Sequence, residues 1–410
     1  MRVALILALV AGTVSPLAAQ RPDTIVKQVG APRYAGVATL VPEVTIGGAD
    51  ATDDEYIFVS IRVLLAAKDG SVWVSDGRFP MGPFSLRRYD VNGKFIRNVG
   101  ARGQGPGEWQ MPGHLAELRD GRVVLRDEVV GRPLTFYRAN GDYDTTWAMH
   151  TTTISYINAD TASNIWMSVA AGTSFNPGAP HSMVRMTPRG VVDTIPEPPR
   201  AEVTRAPNVT VTRGRSSMGF AAPYQPYALG AWSPQGYYAT GVSSQYTVNL
   251  LRREGVTSIR RSASALAVSD DERSDQRAYL EARVAAVGGT QQGSIPDIPR
   301  EKQIIRSIDF DLDGRLWVSV SQPSERYEPP PPAPARAGAT PQPVLRWREP
   351  LVYELFEPNG TLLGRVTIPY DVRLHPAPWA PIQSRGDYVW GIATDADGVQ
   401  SVRRYRIAWR

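Results

Sequence analysis

The chain has 410 residues, of which 42% are hydrophobic and 9% aromatic, with no cysteine and a formal charge of +5. That is enough apolar material for a large core and too much for a disordered chain. It excludes a disulfide framework, thiol nucleophiles and thiolate metal centres, and the excess positive charge is scattered arginine rather than a basic tract that nucleic acid would need.

In chain order, the first feature is a charged start, Arg2, then an apolar run from Val3 to Val10. A small-residue exit follows at Leu17-Ala18-Ala19-Gln20. This predicts a secretory signal peptide over 1–20, and hence a periplasmic or extracellular protein. The competing reading is a buried N-terminal strand or helix. No later stretch approaches the ~18–20 apolar residues of a membrane span. Next comes a strand, Thr39 to Ile46, with no hairpin partner nearby; its Pro42 suits an outer strand with one unpaired side.

From residue 61 onward one phrase recurs. A tight turn leads into a β-run bearing an aromatic: Lys68-Asp69-Gly70-Ser71-Val72-Trp73, Asn164-Ile165-Trp166, Asp313-Gly314-Arg315-Leu316-Trp317 and Gly386-Asp387-Tyr388-Val389-Trp390. Weaker copies are Gly121-Arg122-Val123-Val124 and Gly236-Tyr237-Tyr238-Ala239. A second phrase follows most of them, as in Tyr89-Asp90-Val91-Asn92-Gly93 and Phe356-Glu357-Pro358-Asn359-Gly360. Repeats of roughly 40–50 residues made of short strands and glycine turns predict a β-propeller. Six first-type turns stand against five of the second type. The C-terminal run Ser401 to Ala408 lacks a final strand, and Thr39 to Ile46 lacks a blade. The two deficits cancel if the N-terminal strand closes the last blade. The prediction is therefore all-β: one six-bladed propeller over 21–410, with blades near 61–99, 114–147, 154–195, 225–260, 304–368 and 382–408 plus 39–46.

Three insertions interrupt the repeat. Pro196 to Tyr224 reads as a long connection. Residues 323–347, with Pro329 to Pro332, read as an extended surface loop. Residues 269–287 read as a helix between the fourth and fifth blades, with Ser269 as N-cap, Glu272 reaching back, Tyr279, Ala282 and Ala286 on one stripe, and Gly288-Gly289 as the stop.

Gly100-Ala101-Arg102-Gly103-Gln104-Gly105-Pro106-Gly107-Glu108-Trp109, read after Tyr89 to Phe95, resembles the linking turn of an NHL-type repeat. With the helix after the fourth blade and the ending Asp387-Tyr388-Val389-Trp390-Gly391-Ile392, the chain resembles secreted bacterial six-bladed propellers of NHL-repeat-like type. The resemblance implies the fold over the whole mature chain and says little about activity. The weak third and fourth blades and the proline-rich insertion depart from it. The glycine-rich turn is no phosphate loop, lacking the strand, the helix and the Gly-Lys-Ser/Thr such a loop needs.

The candidate chemistry is thin. Asp309, Asp311 and Asp313 match the start of a calcium loop, but Val320 stands where the closing Glu belongs, so an ordinary acidic turn is the simpler reading. The four histidines are His114, His150, His181 and His375. Nothing in the sequence ties any serine to one of them. By repeat alignment, the blade-start positions nearest the axis are Arg62, His114, Tyr156, Tyr227, Arg306 and Trp379, a cationic and aromatic set. It predicts a binding surface at the channel mouth for a small anionic or aromatic ligand, a peptide or a glycan, with no cofactor, no nucleic acid and a monomeric chain. The alternative is a metal-dependent lactonase- or lyase-like enzyme on the same ring, since gluconolactonases, paraoxonases and streptogramin lyases share that architecture.

Overall fold

The computed structural model describes residues 24–78, 82–149, 156–170, 181–329, 344–375 and 380–410. The signal-peptide prediction and Trp379 fall outside them, as do His150 and most of the proline-rich insertion.

The repeated phrase becomes a run of antiparallel sheets. The first holds Ile61–Ala66, Val72–Gly77, Phe84–Tyr89 and Phe95–Asn98, and the second Pro112–Glu117, Val123–Asp127, Leu134–Tyr137 and Tyr143–Trp147. The third is Ile157–Ala159, Ile165–Ala170, His181–Thr187 and Gly190–Pro196. The fourth is Ala228–Ser233, Tyr237–Val242, Thr247–Arg252 and Gly255–Arg260. The fifth is Ile305–Phe310, Leu316–Val320, Leu351–Phe356 and Leu362–Ile368. In each, the strands lie in chain order. Consecutive four-stranded meanders of this kind define a β-propeller.

Why the same phrase makes the same turn is visible atom by atom. Asp160 and Asp311 each take two backbone N–H groups of the turn on Oδ1, two and four residues on. Their Oδ2 atoms accept the indole N–H of Trp166 and Trp317 at 2.8 and 2.9 Å. One carboxylate thus fixes both the turn and the strand that follows. Ala67 holds the equivalent place before Trp73, and the Trp73 indole nitrogen is buried without a partner. Trp73, Trp166, Trp317 and Trp390 are all at most 4% exposed, as packing residues should be.

The N-terminal region works on the outside. Thr24–Gln28 pairs in parallel with the outer strand of the fourth sheet. Arg33 and Tyr34 then donate backbone hydrogen bonds to Leu362 and Leu363 of the fifth. Val37–Gly47 pairs in parallel with Leu362–Ile368 and antiparallel with Gln400–Ala408, from Thr39 opposite Ala408 to Gly47 opposite Ser401. The register slips between Pro42 and Val44, where proline has no N–H to give. Gly93, at φ +81°, lets the first sheet press on this strand; a Cβ there would lie 2.8 Å from Val44 Cγ1. Beyond Gln400–Ala408 lie Tyr388–Thr394 and two short pieces, Val372–Arg373 and Ser384–Arg385. The expected single lead strand from 382 is therefore broken in two.

Two insertions differ from their sequence reading. Pro196 to Tyr224 is not merely a connection. It contains the hairpin Val209–Arg213 and Ser216–Phe220, which Thr290–Gln292 extends to three strands. The helix Asp270–Val287 packs on that sheet through Leu280 and Val284, against Val209, Val211 and Phe220. Ser269 caps it by accepting from Glu272 N–H, and Gly288 ends it at φ 63°. The buried stripe is Glu272, Gln276, Leu280 and Val284, not the one drawn through Tyr279, Ala282 and Ala286. Glu272 does not turn back to its own helix start. Its carboxylate accepts from Tyr224 and Ser324 and lies 4.0 Å from the buried Lys302 ammonium. The cause is electrostatic: a buried ammonium needs anions around it, and Glu349 at 3.1 Å is the other. The ends of the proline-rich insertion pair as a ribbon, Glu325–Arg326 with Trp347–Arg348.

Candidate functional site: a cleft between the third and fourth sheets

The lead strands of neighbouring sheets lie side by side for the first and second, the second and third, and the fourth and fifth. Those of the third and fourth part, and a cavity of about 540 Å³ fills the gap. Its narrow end is closed by Thr161 N–H donating to Pro234 O at 3.1 Å, and by Trp166 packing on Trp232, centroids 5.4 Å apart.

The sequence explains the wedge. The side chains meeting across the other seams are mostly aliphatic and interdigitate. Here they are Trp166, Met183 and Tyr238, with Tyr156 and Trp232 alongside. The rings stand tilted, at 51° between Trp166 and Trp232 and 74° between Trp232 and Tyr238. The Trp232 indole N–H is buried and makes no hydrogen bond.

Polar groups line the rest. Ser168 Oγ and His181 Nδ1 share a hydrogen bond of 3.0 Å. Glu197 accepts from His181 backbone N–H at 3.2 Å and pairs through its other oxygen with Arg200 Nε, also at 3.2 Å. Burial raises the Tyr156 and Tyr238 hydroxyl pKa values, with Glu197 adding to both, so both phenols stay neutral donors. On the far wall stands Asp309, which accepts from Ser307 Oγ at 2.7 Å and faces His375 Nε2 at 3.6 Å. Burial alone would lower the His375 pKa; the hydrogen bond and charge of Asp309, with the Ala380 carbonyl on Nδ1, outweigh it and raise it.

Of the five described residues expected at the channel mouth, Tyr156 lines this cleft and Arg62, His114, Tyr227 and Arg306 do not. Arg62 and Arg306 share a device: each lead strand slips register around them, between Ile61 and Val63 and between Ile305 and Ser307. Such bulges re-aim the side chain. Arg62 reaches Glu128 at 2.5 Å, and Arg306 lies 3.6 Å from Glu349. His114 is buried near Arg62. Burial first, then Arg126 and Arg62, push its pKa down to about 3. Tyr227 donates its hydroxyl to the Arg306 carbonyl. The six thus sit as Arg62 with His114, Tyr227 with Arg306, Tyr156 in the cleft, and Trp379 outside the described residues.

The three aspartates of the calcium reading diverge. Asp311 is fully buried and holds Arg315 and Trp317. Asp309 faces His375, and Asp313 accepts from Gly386 N–H at 2.7 Å. Among the described residues no group of three or more His, Asp or Glu is placed to hold a metal ion. The sequence reading missed Ser168, His181, Glu197, Trp232 and Tyr238 as a group. The only cue was that the third and fourth repeats were the weakest copies.

The class these observations define is a β-propeller with a polar, aromatic cleft beside its third and fourth sheets. No family model and no curated protein matches the chain. Among solved structures it is similar to a protein of Bacteroides fragilis described as exported, at 10% identity over 94% of this chain and 99% of that one, with a TM-score of 0.44. It is similar to a member of the DUF4221 family from Bacteroides vulgatus, at 7% identity, 91% and 99% coverage and a TM-score of 0.42. It is also similar to virginiamycin B lyase from Staphylococcus aureus, at 10% identity, 85% and 95% coverage and a TM-score of 0.35. Likenesses this distant carry nothing about activity.

Proposed function

We propose that the chain is an exported, monomeric six-bladed propeller, closed by its N-terminal strand, that binds a small ligand. The observation carrying the binding reading is the cleft between the third and fourth sheets. It is partly enclosed and mixes aromatic with polar side chains, as ligand pockets do. Export rests on residues 1–20. The six-blade count rests on treating Val37–Gly47, Gln400–Ala408, Tyr388–Thr394 and the two short pieces as a last blade. In this reading Arg62, His114, Tyr156, Tyr227, Arg306 and Trp379 stand around the channel mouth into which the cleft opens.

A thermal-shift screen of small metabolites, sugars and peptides on the mature protein tests it, because a ligand of the folded state raises the apparent melting temperature. Hits are then titrated against Tyr238→Ala and against Arg62→Ala with Arg306→Ala. Loss of affinity in the first alone assigns the cleft. Loss in the arginine pair alone moves the site to the mouth. Turnover of a bound lactone or ester would replace the binding reading with the enzymatic one.

A further inference from the structure

Resting on the assignment of the cleft as the binding site, we infer that its ligand is a neutral polyhydroxylated molecule, of the class of a mono- or disaccharide. The first ground is charge. Two carboxylates, Glu197 and Asp309, line the cavity against one guanidinium, Arg200, and that guanidinium is already paired with Glu197. An anionic ligand would meet repulsion there, and an apolar one would strip water from both carboxylates without replacing it. Vicinal hydroxyls do the opposite: each donates to a carboxylate oxygen and accepts from a neighbouring donor.

The second ground is the inventory of unused groups. Asn158 and Asn249 line the same cavity, on the third and fourth sheets, and neither side chain makes a hydrogen bond among the described residues. An amide offers donor and acceptor together. Sugar hydroxyls match that pairing. The third ground is shape. Trp232 and Tyr238 stand as an edge-to-face pair with centroids 4.8 Å apart. They give an apolar wall for the C–H face of a pyranose ring while the hydroxyls at its rim face the polar side.

The test is calorimetric titration of the mature protein with neutral mono- and disaccharides, the matching sugar acids, and aromatic carboxylates. Trp232→Ala and Asn249→Ala are run beside it, their folding checked by circular dichroism. The expected result is binding of a neutral saccharide, weakened about tenfold or more by each variant, with its sugar acid weaker still. If only acids or aromatic carboxylates bind, and the variants abolish it, the cleft stands and the ligand class falls. If a saccharide binds and neither folded variant weakens it, the cleft assignment itself falls. If no saccharide binds, the ligand class falls. Asn249→Ala removes only an unbonded amide, so it remains decisive should Trp232→Ala fail to fold.

Discussion

The seam between the fourth and fifth sheets and the seam between the third and fourth are built from opposite materials. In the former, Leu229, Ala239, Val248 and Leu250 meet Ile305, Ile308, Phe310 and Val318 in one continuous core. Its outer margin is locked by Glu354, fully buried, which takes the Tyr246 hydroxyl and pairs with Arg261 at 2.7 Å and Arg365 at 2.8 Å. In the latter, Trp166, Met183 and Tyr238, with Tyr156, Ile195, Trp232 and Leu251 against them, leave a gap that polar side chains line. Branched aliphatic chains close a seam, whereas rings with polar neighbours hold one open. A filled core and an open cavity thus lie on either side of one sheet.

The comparison breaks most readily on core truncation. Phe356→Ala removes a fully buried ring from the core of the filled seam and should cost roughly 3–5 kcal/mol. Trp232→Ala, beside an existing cavity, should cost less than about half of that, since part of its surface faces no protein atom. Denaturant unfolding of both checks it, and equal costs would end the distinction. Next in size is the lock. Glu354→Gln keeps the shape and removes the charge that two arginines and a phenol share, and should cost about 1–3 kcal/mol. A double-mutant cycle with Tyr246→Phe should show clear coupling, whereas a cycle between Ser168→Ala and Tyr238→Phe across the open seam should show little.

The smallest effects are slopes against pH, and they have opposite signs. The folded His114 pKa lies near 3, below its unfolded value of 6.5. Its contribution is therefore present above pH 6.5 and is lost as pH falls from there toward 3, where the unfolded chain binds the extra proton. For His375 the folded pKa is raised. Its contribution is complete below pH 6.5 and is lost as pH rises through the folded value. Unfolding midpoints measured in pH steps should lose the acid-side fall in His114→Gln and the alkaline-side fall in His375→Gln. A His114→Gln profile parallel to wild type would mean that the buried imidazole is protonated.

The sheets were legible because each repeat writes its own turn. An aspartate six residues before a tryptophan, as in Asp160–Trp166 and Asp311–Trp317, encodes a hydrogen bond that is local in sequence. The helix was legible for the same reason, Ser269 and Gly288 acting within one turn of its ends. Glu272 was misread because its partners, Tyr224, Lys302 and Ser324, come from elements with no local relation to it. The site failed in the same way. Repeat alignment found Arg62 and Arg306 as equivalent positions and Tyr156 at the cleft, but a gap between two sheets is a property of their packing. No pattern within either sheet announces that Ser168 meets His181 across two strands, or that Trp232 has nothing to bond.

The strap formed by residues 24–47 has a consequence in time. Thr39 leaves the ribosome well before its partner in the sheet, Ala408. Each of the five four-stranded meanders can form from strands consecutive in sequence, while this contact joins strands far apart in the chain. Until Gln400–Ala408 has been made, the nascent molecule exposes strand edges of its fifth sheet and of Val37–Gly47, the surfaces most open to association with another chain. Transport of the chain before folding would postpone that pairing until both ends are in the same compartment.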